Sequence, residues 1–387
     1  MIDHIKGIAN SRMVANQQLI HVSVNSKYAR LWQSFPKMII GGIDLRARMG
    51  HITTPWTAPL STEFKMPKLV YIQDRFCDIM DDRAKELVDI ARHEDLGIYL
   101  MWSGGIDSTA ILISLIKTLP SDDLDRLTIV LSSDSILENF EFFRKHVVPR
   151  KIRCMSLSDL KINNDFLAGN MLQHGDPGDC IVGPSLGTFK KFVPSGQHQA
   201  RYIDNIHLIK DYFTSNPEFG DWYVNKLTDN LESLNIDGID SISDWWWWHY
   251  FNHKWGFSTW RPLVHNRTDY KEPLDRTLQS KFAQRVFFNT DRFQLWSYSN
   301  LKNHFKDIQK NISSYKWELK NYIFEFDQDR EYLYNKPKLI SRATDVHRVQ
   351  IGGHIPPIYY DQDFVGHYLW ELGVEEATIS LLESYQG

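Results

Sequence analysis

The chain has 387 residues, enough for two or three domains with an ample core, and is 42% hydrophobic, 24% charged and 13% aromatic. A net charge of −4 with 15 histidines argues against a general polyanion-binding surface, though not against a local basic patch. Three scattered cysteines (Cys77, Cys154, Cys180) with no CxxC pair argue against a zinc ribbon, a redox dithiol or a disulfide framework, and fit a reducing compartment.

The N-terminal MIDHIKGIAN lacks the apolar region and cleavage pattern of a signal peptide. No apolar run approaches the roughly 20 residues that span a bilayer, so a cytoplasmic protein without membrane contact is expected. Leu19–Val24, Lys37–Ile43 and Lys68–Gln73 read as strands, with Pro- and Thr-rich connections around Thr53–Pro59. Asp81–His93 has the spacing of an amphipathic helix. Residues 1–95 thus read as a small strand-rich cap.

Ile98–Trp102 reads as a buried strand. It runs into Ser103-Gly104-Gly105-Ile106-Asp107-Ser108-Thr109, followed by helical apolar spacing at Ile111, Leu112, Leu115 and Ile116. Strand, glycine turn and helix N-terminus make an anion cradle, because backbone N–H groups and the positive end of the helix dipole converge there. The glycines let a phosphate approach the backbone, the serines add hydroxyl donors, and Asp107 offers a carboxylate to a divalent cation.

SGGIDS resembles the SGGxDS loop of the PP-loop ATP pyrophosphatases, a superfamily that includes asparagine, β-lactam, GMP and NAD synthetases and the tRNA lysidine synthetases. The resemblance implies an α/β fold with a parallel sheet of the adenine nucleotide alpha hydrolase-like (HUP) type. It also implies ATP cleavage between the α and β phosphates, leaving an adenylylated substrate. ATP would be held by Ser103, Gly104, Gly105, Asp107, Ser108 and Thr109. Asparagine synthetases carry a glutaminase domain whose cysteine follows the initiator Met; here Ile2 stands there, so no glutaminase is expected.

Leu127–Leu131 reads as a second buried strand, Ile136–His146 as a helix and Lys151–Leu157 as a third strand. Strands alternating with helices imply a parallel sheet with ligands at the C-terminal strand ends. By position in the family, Leu131, Ser132 and Ser133 line the adenosine side, with Asp134 and Asn139 as weaker candidates.

Gly175-Asp176-Pro177-Gly178-Asp179, within LQHGDPGDCIVGPSLG, resembles the G-x-G-x-D-E loop of asparagine synthetases and their lactam-forming relatives. The resemblance implies that Gly175 lies on the nucleotide side and that Asp107 and Asp179 bind Mg²⁺. Pro177 and Cys180 depart from the pattern, where glycine and glutamate are usual. Asp176 stands where amide-forming members face the acyl-adenylate, as a general base for the amine or as a turn residue. Lys190, Lys191, His198 and Arg201 then form a basic cluster, open to reading as solvated surface or as phosphate contact.

Beyond Tyr202 helical spacing with dense aromatics takes over. In DWWWWHYFNHKWGFSTW (244–260) four consecutive tryptophans cannot share one helix face, so they read as a helical core or as the wall of a stacking pocket. His249 and His253 have i, i+4 spacing but lack the acidic partner of a zinc helix. Arg285–Trp296 faintly resembles a segment of the synthetase helical domain, with Phe287, Phe288 and Asp291 as counterparts. Lys316–Phe326 reads as the next helix, and the resemblance makes Lys336 or Lys338 the late lysine that neutralises charge during adenylation.

The expected layout is a cap (1–95), a PP-loop core (96–200) and an aromatic-rich helical domain (201–387) completing the substrate pocket. The expected activity is that of an asparagine synthetase-like ligase. It would use ATP and Mg²⁺ to activate a carboxylate or carbonyl oxygen for attack by an amine or ammonia, the latter supplied by a separate amidotransferase subunit. Catalytic candidates are Asp176, Lys336 and Lys338. Nucleobase or nucleic-acid modification, and a non-catalytic ATP-binding regulatory role, are the alternatives.

Overall fold

The computed structural model describes residues 21–22, 56–57, 66–157, 159–183, 196–211, 217–265, 274–304 and 314–336. Lys37–Ile43, Lys190, Lys191, Lys338 and the chain after 336 lie outside them. The contacts divide the chain into two units. A sheet unit takes Arg75–Gly175, Arg285–Phe287 and the chain from Glu318, and a mainly helical unit takes the remainder.

The sheet unit is α/β, with four parallel strands in the order β5-β4-β3-β6: β3 Gly97–Met101, β4 Leu127–Leu131, β5 Arg153–Ser156 and β6 Asn170–His174. A short antiparallel pair, β1 (His21–Val22) with β2 (Trp56–Thr57), belongs to the other unit. Each residue of LTIVL in β4 is buried, as a strand covered on both faces requires, and this is why the sequence shows an apolar run rather than alternation. Helix α1, Phe76–His93, buries Ile79, Met80, Ala84, Leu87, Val88 and Ala91 at helical spacing. Helix α2, Ile106–Thr118, is buried from Ser108 to Ile116 and packs against α1.

Three elements differ from sequence expectation. NMLQH forms β6, pairing with β3 from Gly97↔Asn170 to Met101↔His174, where the sequence reading places no element. Lys68–Gln73 has no regular structure; the Ile72 amide donates to Ser299 Oγ at 2.8 Å instead of to a strand partner. The helix expected over Ile136–His146 is broken at Asn139, whose φ of −149° and ψ of 61° are not helical. A π-helical turn, Phe143–Val147, follows.

That turn fastens the end of the sheet unit. His146 Nε2 and Lys145 Nζ each lie 2.5 Å from Asp327 Oδ1, and the His146 ring sits 4.8 Å from both Phe142 and Phe326. Burial alone would raise the Asp327 pKa, but the hydrogen bonds from His146 and Lys145 outweigh it and hold the carboxyl below its ordinary range.

Past the sheet the described chain is helical, apart from an isolated bridge between Arg201 and Ser241. Helix Ile242–Trp248 opens on a capping box, in which Ser241 Oγ accepts from the Asp244 amide and Asp244 Oδ2 accepts from the Ser241 amide. Its four tryptophans, Trp245 to Trp248, are fully buried, so of the two readings the core is the one found. Trp245 donates to Thr228 Oγ1, Trp247 to Ser297 Oγ and Trp248 to the Leu227 carbonyl. A run of four spans the whole helix circumference, and each face meets a different partner. Among the described residues no helix is long and apolar enough to cross a membrane.

The depressed Asp327 pKa makes the carboxylate stabilising above its unfolded value, and that stabilisation is lost as pH falls through the folded one. Asp327→Asn is therefore expected to cost about 1.5–3 kcal/mol at neutral pH and less in acid, measured by urea denaturation at pH 7 and pH 3. An equal cost at both would contradict the charge assignment.

Candidate functional site

The loop Ser103–Gly105 joins the C-terminal end of β3 to α2. Its register is set before it begins, because the Trp102 amide donates to the Val130 carbonyl of β4 at 2.8 Å and the Trp102 indole donates to Thr109 Oγ1 at 3.1 Å. Ser103 and Ser108 tie the turn to itself. Ser108 Oγ accepts from the Ser103 amide at 3.2 Å, lies 3.1 Å from Ser103 Oγ, and donates to the Gly105 carbonyl at 3.2 Å.

Gly104 has φ +71°, a left-handed conformation that suits glycine. A side chain there would collide with the Ser135 carbonyl and with Glu138, whose Cβ is 2.7 Å and Cγ 3.1 Å from the Cβ position. Gly105 is the N-cap of α2 and supplies no side-chain cap, so the first-turn amides face out of a 13-residue helix at its positive end.

Strand order makes this corner a topological switch point. Beyond β3 the chain builds β4 and β5 on one side, and β6 pairs on the other, so the order reverses at β3. Open parallel sheets bind ligands at that point, outside the strands' carboxyl ends. The β3–β6 register brings Gly175, the residue after β6, against the loop helix. A Cβ on Gly175 would lie 3.0 Å from Asp107 Cβ and 3.2 Å from the Ser108 amide nitrogen. Glycine at 175 therefore lets the end of β6 pack closely against the start of α2.

The sheet unit brings Ser103 to Thr109, Leu131, Ser132, Gly175 and Lys336 into one region of the fold. Lys336 Nζ bonds the Glu138 carbonyl and lies 2.9 Å from Glu138 Oε1, with side chains only 5% and 3% exposed. The chain end expected on the adenosine side is internally satisfied. The Leu131 carbonyl accepts from the Leu157 amide at 2.8 Å, and the Ser132 amide donates to Ser135 Oγ at 3.2 Å. Ser133 begins the helix Ser133–Glu138.

Asp176 and Asp179 belong to the helical unit, Asp179 on the short helix Gly178–Ile181. The Asp179 carboxylate is held by Lys316, whose Nζ is 2.5 Å from Oδ1 and whose side chain is 4% exposed. Lys316 itself sits at φ +54°, so a left-handed backbone delivers this lysine. His249 Nδ1 is 2.7 Å from the Tyr223 hydroxyl, and a π-helical turn begins at His249. Among the described residues no group of three or more His, Cys, Asp and Glu side chains forms a metal cluster.

The Arg285 segment sits in the sheet unit. Arg285 pairs with Glu94, its carbonyl accepts from Gln173 Nε2 at 2.9 Å, and Arg83 bonds the carbonyls of Val286 and Phe287. Sequence reasoning missed Glu138 and Lys316. For Glu138 the sequence offers no distinguishing signal, because the stretch Ile136 to Phe143 carries both Glu138 and Glu141 and only the fold shows that Glu138 is the buried one. Comparison of the chain with protein-family models, with curated proteins and with solved structures found no match.

Gly104→Ala is expected to destabilise the sheet unit by about 1–2 kcal/mol through its φ alone, and by more if Glu138 cannot yield. Urea denaturation measures it; a neutral substitution would contradict the left-handed turn.

Proposed function

We propose that the chain is an ATP-dependent adenylating ligase of the PP-loop type. Its sheet would be of the adenine nucleotide alpha hydrolase-like kind, and its products AMP, pyrophosphate and an amide. The observation that carries this is the SGGIDS turn at the C-terminal end of β3, where strand order reverses, with Gly104 in a left-handed turn and Gly175 packed close to Asp107 and the Ser108 amide.

The triphosphate lies against the first-turn amides of α2 and the hydroxyls of Ser103 and Ser108. A substrate carboxylate oxygen bonds to the α-phosphorus, and the bond from the α-phosphorus to the bridging oxygen breaks, releasing pyrophosphate. An amine or ammonia then bonds to the acyl carbon, AMP leaves, and the amine proton passes to a base. Mg²⁺, held by Asp107 with phosphate oxygens and water completing its shell, would supply neutralisation of the triphosphate and of the leaving pyrophosphate. One carboxylate beside a glycine-lined approach fits an ion that takes few protein ligands.

One observation favours a second reading. Asp179, the second metal ligand implied by the resemblance, is already in an ion pair with a buried lysine. An ATP-binding regulatory protein without turnover would tolerate that.

Incubating the protein with Mg·ATP and pooled amino acids, amines and nucleosides, then separating the nucleotides, tests the proposal. AMP and pyrophosphate are expected, and Asp107→Ala should abolish them with the fold intact. ADP and phosphate would overturn the ligase. Nucleotide binding without any turnover would select the regulatory reading, and full activity in Asp179→Ala would remove that residue from the metal's shell.

A further inference from the structure

We infer that the positive charge of Lys336 is directed to Glu138 and not to a phosphate, so that the Glu138–Lys336 pair is a positioning device that keeps a negative charge from building up beneath the anion loop. The inference rests on the proposed nucleotide site. Lys336 Nζ has two acceptors on one residue, the carbonyl and Oε1 of Glu138, and both side chains are almost completely removed from water. Its ammonium lies 5.7 Å from the Tyr332 ring centroid, so the side chain is packed along its own helix end.

Glu138 stands at the loop itself. After the Ser135 carbonyl, its Cβ and Cγ are the atoms nearest to a side chain placed at Gly104. The same corner presents the amides and helix dipole that would gather phosphates. An uncompensated carboxylate there would repel each phosphate charge through a medium of low dielectric, where a unit charge a few ångströms away changes affinity by tenfold or more. Lys336 cancels that charge at its source. The geometry thus gives Lys336 an effect on nucleotide affinity without contact, and makes Glu138 the residue through which it acts.

A double-mutant cycle separates this from direct phosphate contact. Binding of α,β-methylene-ATP with Mg²⁺ is measured by calorimetry on full-length wild type, Glu138→Gln, Lys336→Met and the double variant. Lys336→Met is expected to weaken binding by about tenfold or more, and the double variant to return to within about threefold of wild type. A merely structural pair would lower the stability of the single variants and leave the affinity of their folded fraction unchanged. If Lys336→Met does not fold, the double variant is compared with wild type alone, and the two should agree within about threefold. A double variant about tenfold weaker than wild type would overturn the inference, because Lys336 would then touch the phosphate. Equal affinity in all four proteins would overturn it while sparing the nucleotide site, and no binding by wild type would overturn both.

Discussion

The left-handed turn at Gly104 is the constraint on which the rest of the sheet unit's corner depends. With φ at +71° and no space for a Cβ, this residue lets the chain leave β3 and enter α2 while Ser135 and Glu138 close in from the β4 side. The cost of a buried carboxylate so near the turn is offset by Lys336, almost two hundred residues later in sequence. The Ser103–Ser108 hydroxyl pair then holds the loop to its own helix. Loop, carboxylate and lysine form one arrangement, and altering any of them changes the field at the start of α2.

The two units use different kinds of interior. The sheet unit is built from aliphatic strands, from Ile98 to Leu131, packed by helices α1 and α2. The helical unit depends on large aromatic rings, and its tryptophans each carry an indole N–H that must be satisfied. Trp247 meets this need through Ser297 Oγ, which in turn donates to the Ile181 carbonyl at 2.5 Å, and Trp255 through Asn289 Oδ1 at 2.8 Å. Rings so enclosed belong to the core of the helical unit.

What could be read from sequence was what is local. SGGIDS lies in six consecutive residues, and its strand and helix follow from apolar runs that leave few alternatives. Strand β6 was illegible because NMLQH has polar residues at both ends and in its interior; only pairing along β3, with Gln173 buried and bonded to the Arg285 carbonyl, makes it a strand. KLVYIQ failed in the opposite sense, since its apolar character suggests a strand but no partner strand exists for it among the described residues. The lysine partners of Glu138 and Asp179 were hidden for a third reason: ion pairs across 198 and 137 residues leave no periodicity or spacing to detect. Lys336 was a candidate through resemblance, and its carboxylate partner emerged only from the fold.

The central claim is that a nucleotide triphosphate binds on the turn between β3 and α2. A crystal structure of the full chain with α,β-methylene-ATP and Mg²⁺ tests it most directly. The account predicts phosphate oxygens within hydrogen-bond distance of the first-turn amides of α2 and of Ser103 Oγ or Ser108 Oγ, with Gly175 alongside. Nucleotide bound elsewhere while the Ser103–Thr109 turn stays empty would contradict it.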